Sequence, residues 1–144
     1  APSPEELASA PSTRGEALSA MHVWQEAMDL VVHCARLVRE FPGTEKYDLC
    51  YKMRLCAHEV SSGIARAMRF DDSLCFVYHL NSAYSRLLWL ETDLELAESL
   101  GYVEDDEADL FRKHMGLLQR MIRKLIDTTR EANSESGVLV ESCG

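Results

Sequence analysis

Metal ligation and nucleophilic attack need His, Cys, Asp or Glu side chains brought to one point, and this 144-residue chain holds five histidines and five cysteines. A di-iron centre in a helical bundle needs Glu-x-x-His on two helices, because the i, i+3 step aims both ligands at one metal pair. The residues three before His22, His33, His58, His79 and His114 are Ser19, Leu30, Leu55, Phe76 and Phe111, so no histidine has the required glutamate. Asp29 and His33 stand four apart and are expected to share an ion pair or hydrogen bond rather than a metal. There is no Gly-x-Ser-x-Gly elbow and no phosphate-cradling glycine loop. The remaining route to an enzyme is a pocket assembled among His33, His58 and His79. No catalytic, cofactor-binding or metal-ligating residue is therefore expected, and no cofactor.

Cys34, Cys50, Cys56, Cys75 and Cys143 are odd in number and include no Cys-x-x-Cys pair. The first four lie in apolar helical patterns and are expected to be reduced thiols serving as small core side chains. Cys143, in a polar tail, is the one expected to react.

Charge is strongly segregated. Residues 91–109 contain nine acids (Glu91, Asp93, Glu95, Glu98, Glu104, Asp105, Asp106, Glu107, Asp109) and no Lys or Arg. Residues 112–130 contain Arg112, Lys113, Arg120, Arg123, Lys124 and Arg130 against Asp127 alone. At about 100° per residue these six cations fall within an arc of about 120° on one helix face. Two outcomes stay open: a solvated face balanced by neighbouring acids, or an anion-facing stripe that meets RNA, DNA or an acidic protein surface. The candidate contact residues are Arg112, Lys113, Arg120, Arg123 and Lys124, with Arg54 and Arg66 as subsidiary ones. Stacking aromatics are absent from the stripe, so sequence-specific readout is not indicated. A net charge of −9 argues against a free-standing nucleic-acid binder without excluding a local basic face. With no run of 18 apolar residues and no basic n-region, neither a membrane span nor a secretory signal is supported, and the expected location is the cytosol.

Four elements must position these side chains. The first helical pattern, about 17–40, places Trp24, Ala27, Met28, Val31, Ala35 and Val38 at three- and four-residue steps and ends at Phe41-Pro42-Gly43. The second, about 45–69, has Thr44 as its expected N-cap and Leu49, Met53, Cys56, Val60, Ile64 and Ala67 on one side. Asp71-Asp72-Ser73 breaks and caps. The third, about 73–100, carries Leu80, Ala83, Leu87, Leu90, Leu94 and Ala97 and stops at Gly101. The fourth follows the acidic run 104–107 and extends to about Thr129. Its apolar positions (Leu110, Phe111, Met115, Leu117, Leu118, Met121, Ile122, Leu125, Ile126) cover about 180° of the wheel, either deep in its own bundle or partly against another subunit.

The words Phe41-Pro42, Glu45-Lys46-Tyr47-Asp48-Leu49 and Leu90-Glu91-Thr92 through Leu100-Gly101-Tyr102, with the order and length of the helices, carry a likeness. From about residue 21 to 127 the chain resembles the bacterial four-helix-bundle proteins related to the 23S ribosomal RNA intervening-sequence proteins. The resemblance implies a homopentameric ring and no enzymatic activity. In one branch it implies the accessory variability determinant of diversity-generating retroelements, a basic barrel that binds a reverse transcriptase and its RNA. Where the family has a Ser-Ile-Pro-x-Asn-Ile-Ala-Glu-Gly-like segment, this chain reads Glu59-Val60-Ser61-Ser62-Gly63-Ile64-Ala65-Arg66-Ala67, so the Ile-Ala core stays and Arg66 reverses a charge.

The expectation is an all-α, antiparallel, up-down-up-down four-helix bundle over 17–130, with a flexible arm at 1–16 and a flexible tail at 131–144. Its expected role is a non-enzymatic, oligomeric adaptor or scaffold that docks a nucleic-acid enzyme or ribonucleoprotein, such as a reverse transcriptase, through the basic stripe, with no membrane partner. The alternative is a protein-only interaction module using the acidic run 104–109 or the tails.

Overall fold

The computed structural model describes residues 11–134, which form four α-helices and no strand. α1 spans Pro11–Leu37, α2 Leu49–Ala67, α3 Ser73–Ser99 and α4 Asp105–Ser134, with 3-10 turns at Val38–Glu40 and Gly43–Glu45. The all-α four-helix bundle expected from the sequence is what forms. α1 and α3 each pack on α2 and α4 but not on one another, so they occupy opposite corners. Across the α3–α4 seam the partners run in opposite sense: Glu98 meets Arg112, Glu91 meets Gln119, and Tyr84 meets Arg123. None of these helices is long and apolar enough to cross a membrane.

Helix ends follow local chemistry, with four departures from expectation. α1 begins at Pro11 rather than near Ala17; proline suits a first helical turn, where its missing N–H would have no partner anyway. Residues 11–16 of the expected arm are thus helical, while the rest of that arm and residues 135–144 of the tail lie outside the described residues. α2 is not capped by Thr44: a 3-10 turn occupies Gly43–Glu45, and the Glu45 carboxylate accepts the Leu49 N–H at 3.3 Å. Asp72 caps α3, accepting from Leu74 N–H at 2.8 Å. α3 closes as foreseen at Gly101, whose φ of 76° is one a glycine adopts without strain. There Gly101 N–H donates to Glu98 O and Tyr102 N–H to Ala97 O, satisfying the last carbonyls. α4 starts inside the acidic run rather than after it, placing Asp105, Asp106 and Glu107 in the first turn, where the helix dipole favours carboxylates. It also continues past Thr129 to Ser134.

The expected core rows of α2 and α3 are buried throughout. α1 is rotated from expectation: Ala20, Val23, Ala27, Leu30, Cys34 and Leu37 face inward, Trp24, Val31 and Ala35 are half-buried, and Met28 is exposed. Both rows have helical spacing; the inner one carries the smaller residues at Ala20, Ala27 and Cys34, which let neighbouring helices approach. Six of the nine apolar positions of α4 sink into the subunit's own core and Met121 is half-buried, leaving Leu110 and Leu117 exposed. α2 and α3 approach closely at Gly63, where an added Cβ would lie 3.1 Å from Ala83 Cβ.

Cys34, Cys50 and Cys56 are buried free thiols, as expected. Burial pushes the Cys34 thiol up to about 12 and Cys56 up to about 11. Cys75 corrects that expectation, because it is disulfide-bonded; it sits in the first turn of α3. Cys143 lies outside the described residues.

Candidate partner-binding surface

α4 carries the stripe along its outer face, with Lys113, Arg120, Arg123 and Lys124 exposed. Arg120, Arg123 and Lys124 line one open groove of about 540 Å³ together with Tyr84 of α3. The Arg123 guanidinium sits 4.9 Å from the Tyr84 ring centroid, a cation–π contact that orients it. Asp127 and Glu131 line the same groove, so three cations face two carboxylates there.

Arg112 behaves differently. It donates to Glu95 at 2.9 Å, to Asp109 at 3.0 Å, and to Glu98, tying the first turns of α4 to the end of α3. The hydrogen bond to Glu98 comes first in raising the Arg112 guanidinium above its ordinary value, and the same bond holds the Glu98 carboxyl below its own. Asp105, hydrogen-bonded to Glu98, is raised in turn. The acidic segment and the start of the stripe neutralise one another, so Arg112 joins two helices and is not held out toward solvent as the other stripe cations are. Arg54 and Arg66 are exposed on α2, the corner diagonal to α4, and lie on a different surface.

His33, His58 and His79 do not converge. His33 Nδ1 lies 2.9 Å from His114 Nδ1 across the α1–α4 seam, so His33 pairs with His114 rather than with Asp29. The His33 ring also meets Phe111 edge-on. Glu26 Oε1 is 3.2 Å from His114 Nε2, close enough for an ion pair but off the direction a hydrogen bond needs. His79 is buried and stacked on Phe70 with its Nε2 unpartnered, and His58 lines a groove between α1 and α2. Among the described residues no three His, Cys, Asp or Glu side chains are grouped to hold a metal.

The sequence profile of the 23S rRNA-intervening sequence proteins matches residues 19–124 of the chain. The chain belongs to this family. No curated protein matches it. The family match takes in Arg112, Lys113, Arg120, Arg123 and Lys124 and stops before Arg130, so the groove-lining cations lie within the family's own span.

Exposed apolar surface in this family member is placed where the sequence did not signal it. On α1, Leu18, Met21, Met28 and Val32 form an outward row; on α3, Leu88, Trp89 and Leu96 are exposed, Trp89 by 65%. A large exposed residue beside an inward row is visible on a wheel only once the inward row is known.

Proposed function

We propose that the protein is a non-enzymatic, homo-oligomeric adaptor that docks a nucleic-acid enzyme or ribonucleoprotein through α4. The observation that carries this is the groove in which Arg120, Arg123 and Lys124 stand exposed around Tyr84. Lys113 extends the docking surface along the helix, while Arg112 serves the fold. A ring built from one chain needs two different surfaces per subunit that complement each other. The apolar rows of α1 and α3, at opposite corners, supply such a pair. A pentamer is what the family resemblance implies, and a reverse transcriptase with its RNA is the partner that its retroelement branch implies.

The test is the native mass of the complex recovered from its own cells, with and without nuclease, for the wild type and for the combined Arg120→Glu, Arg123→Glu, Lys124→Glu variant. A nuclease-sensitive mass above a subunit multiple, lost in the variant, supports the adaptor. An intact complex in the folded, oligomeric variant refutes it, and a nuclease-resistant complex points to the protein-only module.

A further inference from the structure

A second groove, along the α1–α2 seam and away from the stripe, is basic without any carboxylate in its lining. Its first part, about 440 Å³, is walled by Arg39, Lys46 and Arg54 around the Phe41-Pro42-Gly43 turn. A further concavity of about 320 Å³ shares Ala35 and Arg54 with it and adds Tyr51 and His58, so the two adjoin along the seam. Two neighbouring acids are engaged elsewhere, while Glu40 beside Arg39 is exposed and outside the lining. Glu45 accepts from the Tyr102 hydroxyl at 3.0 Å and from Leu49 N–H, and Asp48 pairs with Lys52 at 3.0 Å. Arg39, Lys46 and Arg54 make no ion pair among the described residues. In a chain of net charge −9, three exposed cations around one concavity with no carboxylate in its lining give that surface a local positive potential that favours an anion.

Aromatic rings stand near these cations, Tyr51 in the groove's lining beside Arg54 and Tyr47 outside it. Tyr47 and Tyr51 are 84% and 56% exposed, and Lys46 Nζ lies 5.3 Å from the Tyr47 ring centroid. Cations tracking a backbone, with open ring faces between them, suit a strand whose bases are unpaired, since a duplex hides its base faces. An acidic peptide would use the cations but leave the rings idle.

We infer that the α1–α2 groove binds single-stranded nucleic acid, with phosphates on Arg39, Lys46 and Arg54 and a base stacked on Tyr51. This site is separate from the α4 docking surface.

The test is fluorescence anisotropy of the full chain with labelled oligouridylate and oligothymidylate of about twelve nucleotides, a length within one groove's reach. Three phosphate contacts predict a log–log salt slope of about −2, hence an affinity loss of about 20-fold between about 50 and 200 mM salt. The combined Arg39→Gln, Lys46→Gln, Arg54→Gln variant should lose at least about tenfold in affinity and most of that slope. Tyr51→Ala should lose about tenfold and Tyr51→Phe should restore it, because stacking needs the ring and not the hydroxyl. Circular dichroism should match the wild type, since the three cations and Tyr51 are exposed. Binding of either strand with this pattern supports the inference. It is overturned if the triple variant binds unchanged, or if polyglutamate or a duplex hairpin competes as well as the single strand. Loss of strand binding in the Arg120→Glu, Arg123→Glu, Lys124→Glu variant alone would overturn it while leaving the α4 adaptor standing.

Discussion

The imidazole pair between α1 and α4 should make the bundle lose stability in mild acid. A hydrogen bond between two Nδ1 atoms 2.9 Å apart needs a proton on one and a lone pair on the other. Glu26 beside His114 Nε2 favours the proton of His114 at that nitrogen, which leaves His114 Nδ1 as acceptor and His33 Nδ1–H as donor. One extra proton shared by the pair preserves the bond, with one Nδ1 donating and the other accepting; once His33 is charged against a charged partner ring, two N–H groups face each other and the bond breaks.

Burial, then the charge of His114 and that of Arg36, hold the His33 imidazole below its ordinary value. The unfolded chain therefore takes up this proton first. The contribution is complete above about pH 6.5 and falls as pH drops below that, until the folded imidazole is charged as well. The slope is at most about 1.4 kcal/mol per pH unit for one proton. That loss already contains the neutral hydrogen bond, about 1 kcal/mol, and shifts Tm by a few degrees in a domain of this size. The assay is thermal unfolding of wild type, His33→Leu, His114→Leu and the double variant at about pH 7.5 and about pH 5, spanning the histidine range. The double variant should lose less Tm on acidification than the wild type, and the two singles should be non-additive at the higher pH. Equal losses in all four proteins would refute the assignment of the titration to this pair.

Gly63→Leu should destabilise by about 1–3 kcal/mol through overpacking against Ala83, read as a lower urea midpoint, with Ala83→Gly in the same chain recovering part of it. Leu90→Ala, at a fully buried position on α3, should cost about 2–5 kcal/mol in the same titration. Asp72→Ala removes the bond to Leu74 N–H and should cost about 1 kcal/mol by thermal melt, with Asp72→Ser retaining most of it. Cys34 and Cys56, raised to about 12 and about 11, should resist a thiolate-specific reagent at pH 8 until denaturant is added, as mass spectrometry of the labelled chain would show.

The legible parts of this fold were those with a single apolar row. On α2, Leu49, Met53, Cys56, Val60, Ile64 and Ala67 have no competing row of equal strength, and all are buried. α1 has two adjacent rows, and spacing alone cannot rank them; packing on α2 and α4 chose the one with the smaller residues. The charge stripe was legible as a helix face, but its electrostatics were not. A wheel of α4 contains Asp109 yet knows nothing of Glu95 and Glu98, which come from α3 and engage Arg112. The α1–α2 groove was hidden for a similar reason: Arg39, Lys46 and Arg54 straddle a turn, so no periodicity connects them.

An acidic chain can present two cationic grooves because its carboxylates are disposed unevenly. Asp105, Asp106 and Glu107 lie against the positive end of α4, Glu95, Glu98 and Asp109 surround Arg112, Glu59 holds Arg86 at 2.9 Å, and Glu45 serves Tyr102. Each acid so placed is one that does not neutralise Arg39, Arg54, Arg120 or Lys124. At physiological salt a charge is felt over about 8 Å, so a docked phosphate responds to the cations of its groove far more than to the chain's total of −9. The total acts on approach instead. At low salt, where screening lengths reach about 30 Å, the whole negative surface repels an incoming polyanion before any groove can attract it. For the polyanionic partners proposed above, selection would rest on short-range contact at a groove rather than on long-range steering, with the local charges at Arg39, Arg54, Arg120 and Lys124 outweighing the overall pI.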